Sequence, residues 1–256
     1  MKVIGLDIAT HTGWAIIEVG ESSLKLQDRG TIVLDSKMDL SQRLRYFSVE
    51  LSRVLEIHKP EWAFIEDVLL GMSGAKTLAY LARLNGVALN TCFTFLKDNV
   101  KLFQPAYWKK NSFPKLNGSA AKWEVQLAST EFFNFQLEKS FHESFLLRQK
   151  GFENELSFAK NNLDLKKRSV LKYKNDIQRK RNPLTAAEID QTKELIKQEE
   201  SIITEIKSKI ISLEKDLDKY MTKISVDISA QTGISPDIAD ASGVALCGLR
   251  ELKILC

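Results

Sequence analysis

Apolar positions run almost unbroken through KVIGLDI at residues 2–8, and the run closes on an acid, Asp7. Such a run reads as a strand buried on both faces. GWAIIEV (13–19) and LKLQDRGTIVL (24–34) follow as two more strands, separated by polar turns at 9–12 and 20–23. Residues 39–58 place Leu40, Leu44, Phe47, Leu51 and Leu55 at helical intervals, and Pro60 ends that helix. EWAFIED is then a short buried strand, residues 75–96 an Ala- and Leu-rich helix, and NVKLFQ a fifth strand stopped by Pro105. A three-strand meander followed by alternating helix and strand predicts an α/β layer fold with a mixed five-stranded sheet.

Past Ser119 the pattern changes. From about 136 to 224 there is no strand signal. Ile189, Ile196, Ile203, Ile210, Leu217 and Ile224 recur every seventh residue, with Ile206, Leu213 and Tyr220 between them. Leu156, Leu163, Val170 and Ile177, offset by Phe152, Ala159 and Tyr173, form the answering series. Asn182–Pro183 breaks the chain between the two, and Thr185 with Glu188 spells a capping box. The prediction is an antiparallel coiled-coil hairpin whose second arm runs about 55–60 Å at 1.5 Å per residue. GISPDIADASGVALCGLREL then restarts a compact helix, with Ser235 as N-cap and Pro236 at the first helical position. The hairpin is therefore an insertion at 136–223. It divides one α/β core formed by residues 1–135 and 224–256.

Charge sharpens this division. The chain carries 37 Lys and Arg against 33 Asp and Glu, a net +4 that by itself argues for no particular partner. Residues 145–182, however, hold eleven basic residues and four acids, while 183–222 hold six and nine. The first arm is thus the basic one. Three cysteines without metal-ligand spacing (Cys92, Cys247, Cys256) read as reduced thiols, the first two in the core. No stretch has the length of a membrane span and no leader pattern opens the chain, so a cytoplasmic protein is expected.

The candidate chemistry lies in acids at element ends. Asp7 ends the first strand and Glu66 another, while Asp237 and Asp240 share a face one turn apart at the start of the last helix. Strand ends and a helix N-terminus converge at one edge of an α/β sheet. Four carboxylates gathered there repel unless cations lie between them. Oxygen ligands of this kind suit Mg²⁺ or Mn²⁺, and two such ions can drive phosphodiester hydrolysis. Taken singly, each acid has an ordinary reading: a turn residue, a solvated strand end or a helix-dipole partner. Asp240, within the apolar IADASGVAL, is the hardest to explain that way.

Four stretches in order, IGLDIATHTGWAII, AFIEDVLLGMSGAKTLAYLARLNGVAL, NGSAAKWEVQ and DIADASGVAL, resemble the RuvC family of Holliday junction resolvases. They cover about residues 1–135 and 224–252. The resemblance implies an RNase H-like fold and two Mg²⁺ ions, replaceable by Mn²⁺, held by Asp7, Glu66, Asp237 and Asp240. It further implies Lys122 approaching the scissile phosphate, and a homodimer that nicks opposed strands of a four-way junction. The chain departs from the family in three places. DIA stands where Asp-x-Gly is usual, Leu69 and Leu70 stand where bacterial members carry an aromatic wedge, and the hairpin has no counterpart in the bacterial enzymes. A divergent phage- or virus-type member, acting in the host cytoplasm, is the expectation.

For DNA contact the candidates are Thr10, His11 and Thr12 in the first turn, Leu69 and Leu70 as aliphatic wedges, and Lys109, Lys110, Lys115, Ser119 and Lys122 in a basic stretch interleaved with Phe103, Tyr107, Trp108 and Phe113. On the hairpin they are Lys166, Lys167, Arg168, Arg179, Lys180 and Arg181. The hairpin has three competing uses: a dimer interface, a DNA arm or a site for another protein. His58 and His142 read as structural. A flap, Y-fork or RNase H-like nuclease and a non-cleaving branched-DNA binder remain as rival functions. An actin-like sugar kinase would need a second phosphate loop that the chain lacks.

Overall fold

A computed structural model describes the backbone of residues 1–21, 23–68, 74–114, 116–135, 139–178 and 184–255, with side chains of 139–146 left aside. Leu69, Leu70, Gly71, Lys115, Arg179, Lys180, Arg181 and the Asn182–Pro183 break lie outside the described residues, as does the His142 side chain.

Among the described residues the elements run in the order β1 (Lys2–Asp7), β2 (His11–Val19), β3 (Leu24–Val33), α1 (Leu40–His58), β4 (Trp62–Glu66), α2 (Ala75–Leu96), β5 (Val100–Phe103), α3 (Pro105–Asn111), α4 (Lys122–Phe132), α5 (Lys139–Ile177), α6 (Ala186–Thr232) and α7 (Pro236–Glu251). The sheet order is β3-β2-β1-β4-β5. β2 pairs antiparallel with both β1 and β3, whereas β1–β4 and β4–β5 are parallel. This is the mixed five-stranded, helix-flanked sheet of the expected fold class.

Strand alternation sends successive side chains to opposite faces. Ile4, Leu6, Ala63 and Ile65 point into a core built with Phe47, Leu51 and Leu55 of α1 and Leu84 and Ala88 of α2. Val3 and Phe64 point the other way, into a core dominated by α7 together with Trp108, Phe113 and Val125. Asp7 and Glu66 fall in the second set by the same two-residue period. The β1–β4 register, Gly5 opposite Phe64 and Leu6 opposite Ile65, puts the two acids at adjacent strand ends.

α7 lies directly against the sheet because two strand positions carry no side chain. A Cβ on Gly5 would overlap the Ala241 carbonyl, and one on Gly13, the partner of Asp7 across β1–β2, would overlap the Asp237 carbonyl. Gly13→Ala should therefore push back the first turn of α7. The expected cost is about 1–3 kcal/mol in chemical denaturation, as for other overpacked contacts. Gly86→Ala, where the added methyl meets nothing within 4 Å, should instead stabilise by roughly 0.5–1 kcal/mol. Equal effects of the two substitutions would refute the close-packing argument.

Chain contacts divide the molecule into Met1–Leu137 with Ser225–Cys256, and Glu138–Ile224. In the second unit the heptad positions along α5 and α6, from Phe152, Leu156 and Ala159 to Ile210, Leu217 and Ile224, are withdrawn from solvent. Lys160–Glu214 at 3.0 Å, Lys174–Glu200 at 2.9 Å and the Phe152–Tyr220 ring contact link the two arms antiparallel. The Thr185–Glu188 capping box forms as read. α6 exceeds the expected second arm. It continues past Ile224 to Thr232, because Ser225–Gln231 contains no helix breaker, and stops at Gly233 with φ +68°. In the first unit, buried Gln126 of α4 binds the last turns of α6 through Ser225, Ser229 and the Ile234 carbonyl.

Candidate active site

Asp7 is 9% exposed and Asp240 4%. The end of β1 supplies the first and the second turn of α7 the other. α7 starts where Ser235 caps the Ile238 amide and Pro236 occupies the first helical position. Glu66 closes β4. Its Oε2 accepts a hydrogen bond from the Trp108 indole N–H at 3.1 Å, and its backbone carbonyl accepts one from Asn85 at 3.0 Å. Lys122, the first residue of α4, reaches Asp237 Oδ1 at 3.0 Å and Asp240 Oδ2 at 3.7 Å. The four acids and the lysine read from the sequence are thus brought together from four elements.

Their electrostatics are those of a crowded, buried set. Burial raises the Asp7 carboxyl to about 6, with Lys122 opposing and Asp237 adding to the rise. Burial, then the charges of Asp7 and Asp240, push Glu66 to about 9. Asp240 is raised to about 7 by burial and by Asp7, against Lys122 and Lys109. Burial pulls the Lys122 ammonium down, but Asp240, Asp7 and Asp237 override it and hold its pKa above the usual lysine value.

Among the described residues, no three His, Cys, Asp or Glu side chains form a ready-made ion cage as they stand. The fit to cations rests instead on an orphaned acceptor. Asp240 Oδ1 is buried with no hydrogen-bond partner, beside acids whose proton affinity burial has raised. An all-oxygen donor set of this kind matches hard divalent ions.

The remaining candidates divide. β2 begins at His11, two residues earlier than read, so the turn is only Ile8–Thr10. Thr12 is fully buried, donates to the Ala9 carbonyl at 2.8 Å and accepts from the Ala9 amide. It fastens the turn and is withdrawn from DNA. Thr10 and His11 are exposed. Residues 105–111 fold as α3 with Pro105 at its start, where the sequence pattern showed only a basic stretch. Phe103, Trp108 and Phe113 are core, so they form no aromatic track, and Tyr107 alone of the four is exposed. Lys109 donates to the Ala120 carbonyl at 3.0 Å, Ser119 bonds Asn117, and Lys110 faces solvent.

On the hairpin, Lys166 occupies a seam position in series with Ala159 and Tyr173 and binds Glu199 at 3.0 Å. It holds the arms together rather than facing outward. Lys167 lies 3.9 Å from Asp164, and Arg168 is exposed. His58, read without a partner, lies 3.2 Å from Asp28 and packs on Trp14. Sequence reasoning missed Trp108 as a neighbour of Glu66. An indole next to a lysine pair carries no signal that separates core from surface.

A family model described as crossover junction endodeoxyribonuclease RuvC matches residues 3–143. A protein of that name from Ehrlichia chaffeensis is 30% identical over 135 residues, which are 52% of this chain and 83% of the relative. One from Rhizobium etli is 33% identical over 90 residues, 35% of this chain and about half of the relative, 53%. The Thermus thermophilus RuvC structure aligns at 20% identity and a TM-score of 0.47, over 54% of this chain and 82% of that one. The family match stops before α7, so it does not itself cover Asp237 and Asp240. With over half of its length matched by the family model, the chain belongs to the RuvC family.

Proposed function

We propose that this protein is a divalent-metal-dependent endodeoxyribonuclease that resolves four-way DNA junctions by paired nicks. The observation that carries this reading is the meeting of Asp7, Glu66 and Asp240 on one buried face, with Asp240 Oδ1 left unpartnered. The names of its relatives, crossover junction endodeoxyribonucleases, support the substrate. Asp7, Glu66, Asp237 and Asp240 would hold two Mg²⁺ ions, or Mn²⁺ in their place. Bound there, such ions supply Lewis acidity to activate water and stabilise the leaving oxygen of a phosphodiester. Lys122, kept fully charged by its acid neighbours, is placed to meet a non-bridging phosphate oxygen and to neutralise the set.

A cleft of about 600 Å³ adjoins Glu66, lined among others by Ile8, Val68, Pro105, Lys109 and Ser119. It gives a distorted strand room beside the acids. Lys109 and Ser119 supply polar groups to its lining, the exposed Thr10, His11 and Lys110 offer further DNA contacts, and the exposed basic side of α5 around Arg168 serves a DNA arm. A homodimer presents two such sites to opposed strands, in the cytoplasm where the junction forms. Among the described residues, no helix is long and apolar enough to cross a membrane.

The test uses a labelled mobile four-way junction with linear duplex, flap and Y-fork controls, in Mg²⁺ and in Mn²⁺. Symmetric paired nicks on the junction alone are expected. Equal or faster cutting of flaps or forks would make it a broader branched-DNA nuclease. Binding without any cutting would leave only a binding module.

A further inference from the structure

We infer that Trp108 is a positioning residue for the metal-binding carboxylate Glu66, an inference that rests on the metal-site reading above. Its indole is fully buried and has one polar atom, and that atom donates to Glu66 Oε2 at 3.1 Å. The same ring packs on α7 at Gly243, three residues after Asp240, so closely that a Cβ there would meet the indole carbons. One face of it also carries the Lys109 ammonium at 5.6 Å from a ring centre. Trp108 thus touches the β4 acid and the helix bearing Asp237 and Asp240, and fixes their spacing. The hydrogen bond occupies Oε2 and sets the carboxyl plane. Groups that orient ligands in this way typically change metal affinity or activity 10–100-fold, about as much as some ligands themselves.

The experiment separates the N–H from the packing. Trp108 is replaced in the full chain by 3-benzothienylalanine, which keeps the bicyclic shape and substitutes sulfur for the N–H; Trp108→Phe is made in parallel. Mn²⁺ binding is followed by calorimetry without DNA, thermal melting is measured in chelator, and junction cleavage is measured across Mn²⁺ concentration. The Mn²⁺ dissociation constant should rise about tenfold or more in both variants, with the junction KM unchanged. The melting temperature should hold in the sulfur isostere and fall only in Trp108→Phe. Wild-type Mn²⁺ affinity in the isostere would overturn the positioning role while leaving the metal site intact. Absence of Mn²⁺ binding by the wild type would overturn the metal reading and this inference with it. Should the isostere fail to fold, Trp108→Phe decides: unchanged Mn²⁺ affinity there reduces Trp108 to packing.

Discussion

Asp7→Asn is expected to abolish junction cutting, by roughly a thousandfold or more, and at the same time to raise the stability of the metal-free protein. The two effects have one cause. A carboxylate buried against Glu66, Asp237 and Asp240 costs stability when no cation neutralises it, as the rise of Asp7 to about 6 records. Asparagine keeps the shape and removes the charge, so the repulsion goes and the proposed metal ligand goes with it. Junction binding by gel shift should persist, because Asp7 contributes negative charge and no phosphate contact. Denaturation in chelator is the deciding measurement. A destabilised Asp7→Asn would mean that the carboxylate makes a favourable structural bond, and the metal-site reading would lose its footing.

The second large effect is in pH. Asp7, Asp240 and Glu66 all have folded-state proton affinities above those of the unfolded chain. The folded protein therefore holds protons that the unfolded chain releases, and stability falls as pH rises between the two sets of values. In chelator this contribution should be fully present below about pH 4, where the acids of the unfolded chain are protonated as well. It should fall as pH rises through about 6, 7 and 9 for Asp7, Asp240 and Glu66. A tenfold difference in proton affinity is worth about 1.4 kcal/mol, so a loss of several kcal/mol is expected. Lys122 stays charged across this range and limits the loss. Mg²⁺ or Mn²⁺ should restore most of the stability at pH 8 and little at pH 5, where protons occupy the same oxygens. A flat stability profile in chelator, or metal stabilisation independent of pH, would show that the acids are not mutually buried.

The sequence by itself determined most of the elements, although it began β2 two residues late, ended α6 early and left α3 unread. Near-continuous apolar runs marked β1, β2 and β4, Ser235–Pro236 marked the start of α7, and the heptads of α5 and α6 marked the hairpin, because each of these signals is local to a few turns of chain. It also marked Asp7, Glu66, Asp237, Asp240 and Lys122 as an ordered set, through motif order and element position. What it left undecided depended on contacts between distant segments. Thr12 and Trp108 look like surface residues in a polar turn and a basic stretch, yet the close approach of α7 over Gly5 and Gly13 turns that side of the sheet into core. Lys166 looks like part of a DNA-facing cluster, but its seam position turns it toward Glu199. Burial also decides the chemistry. Asp7 and Asp240 are ordinary carboxylates in the chain, and only when a sheet end and a helix start close over them do they become acids that call for a cation.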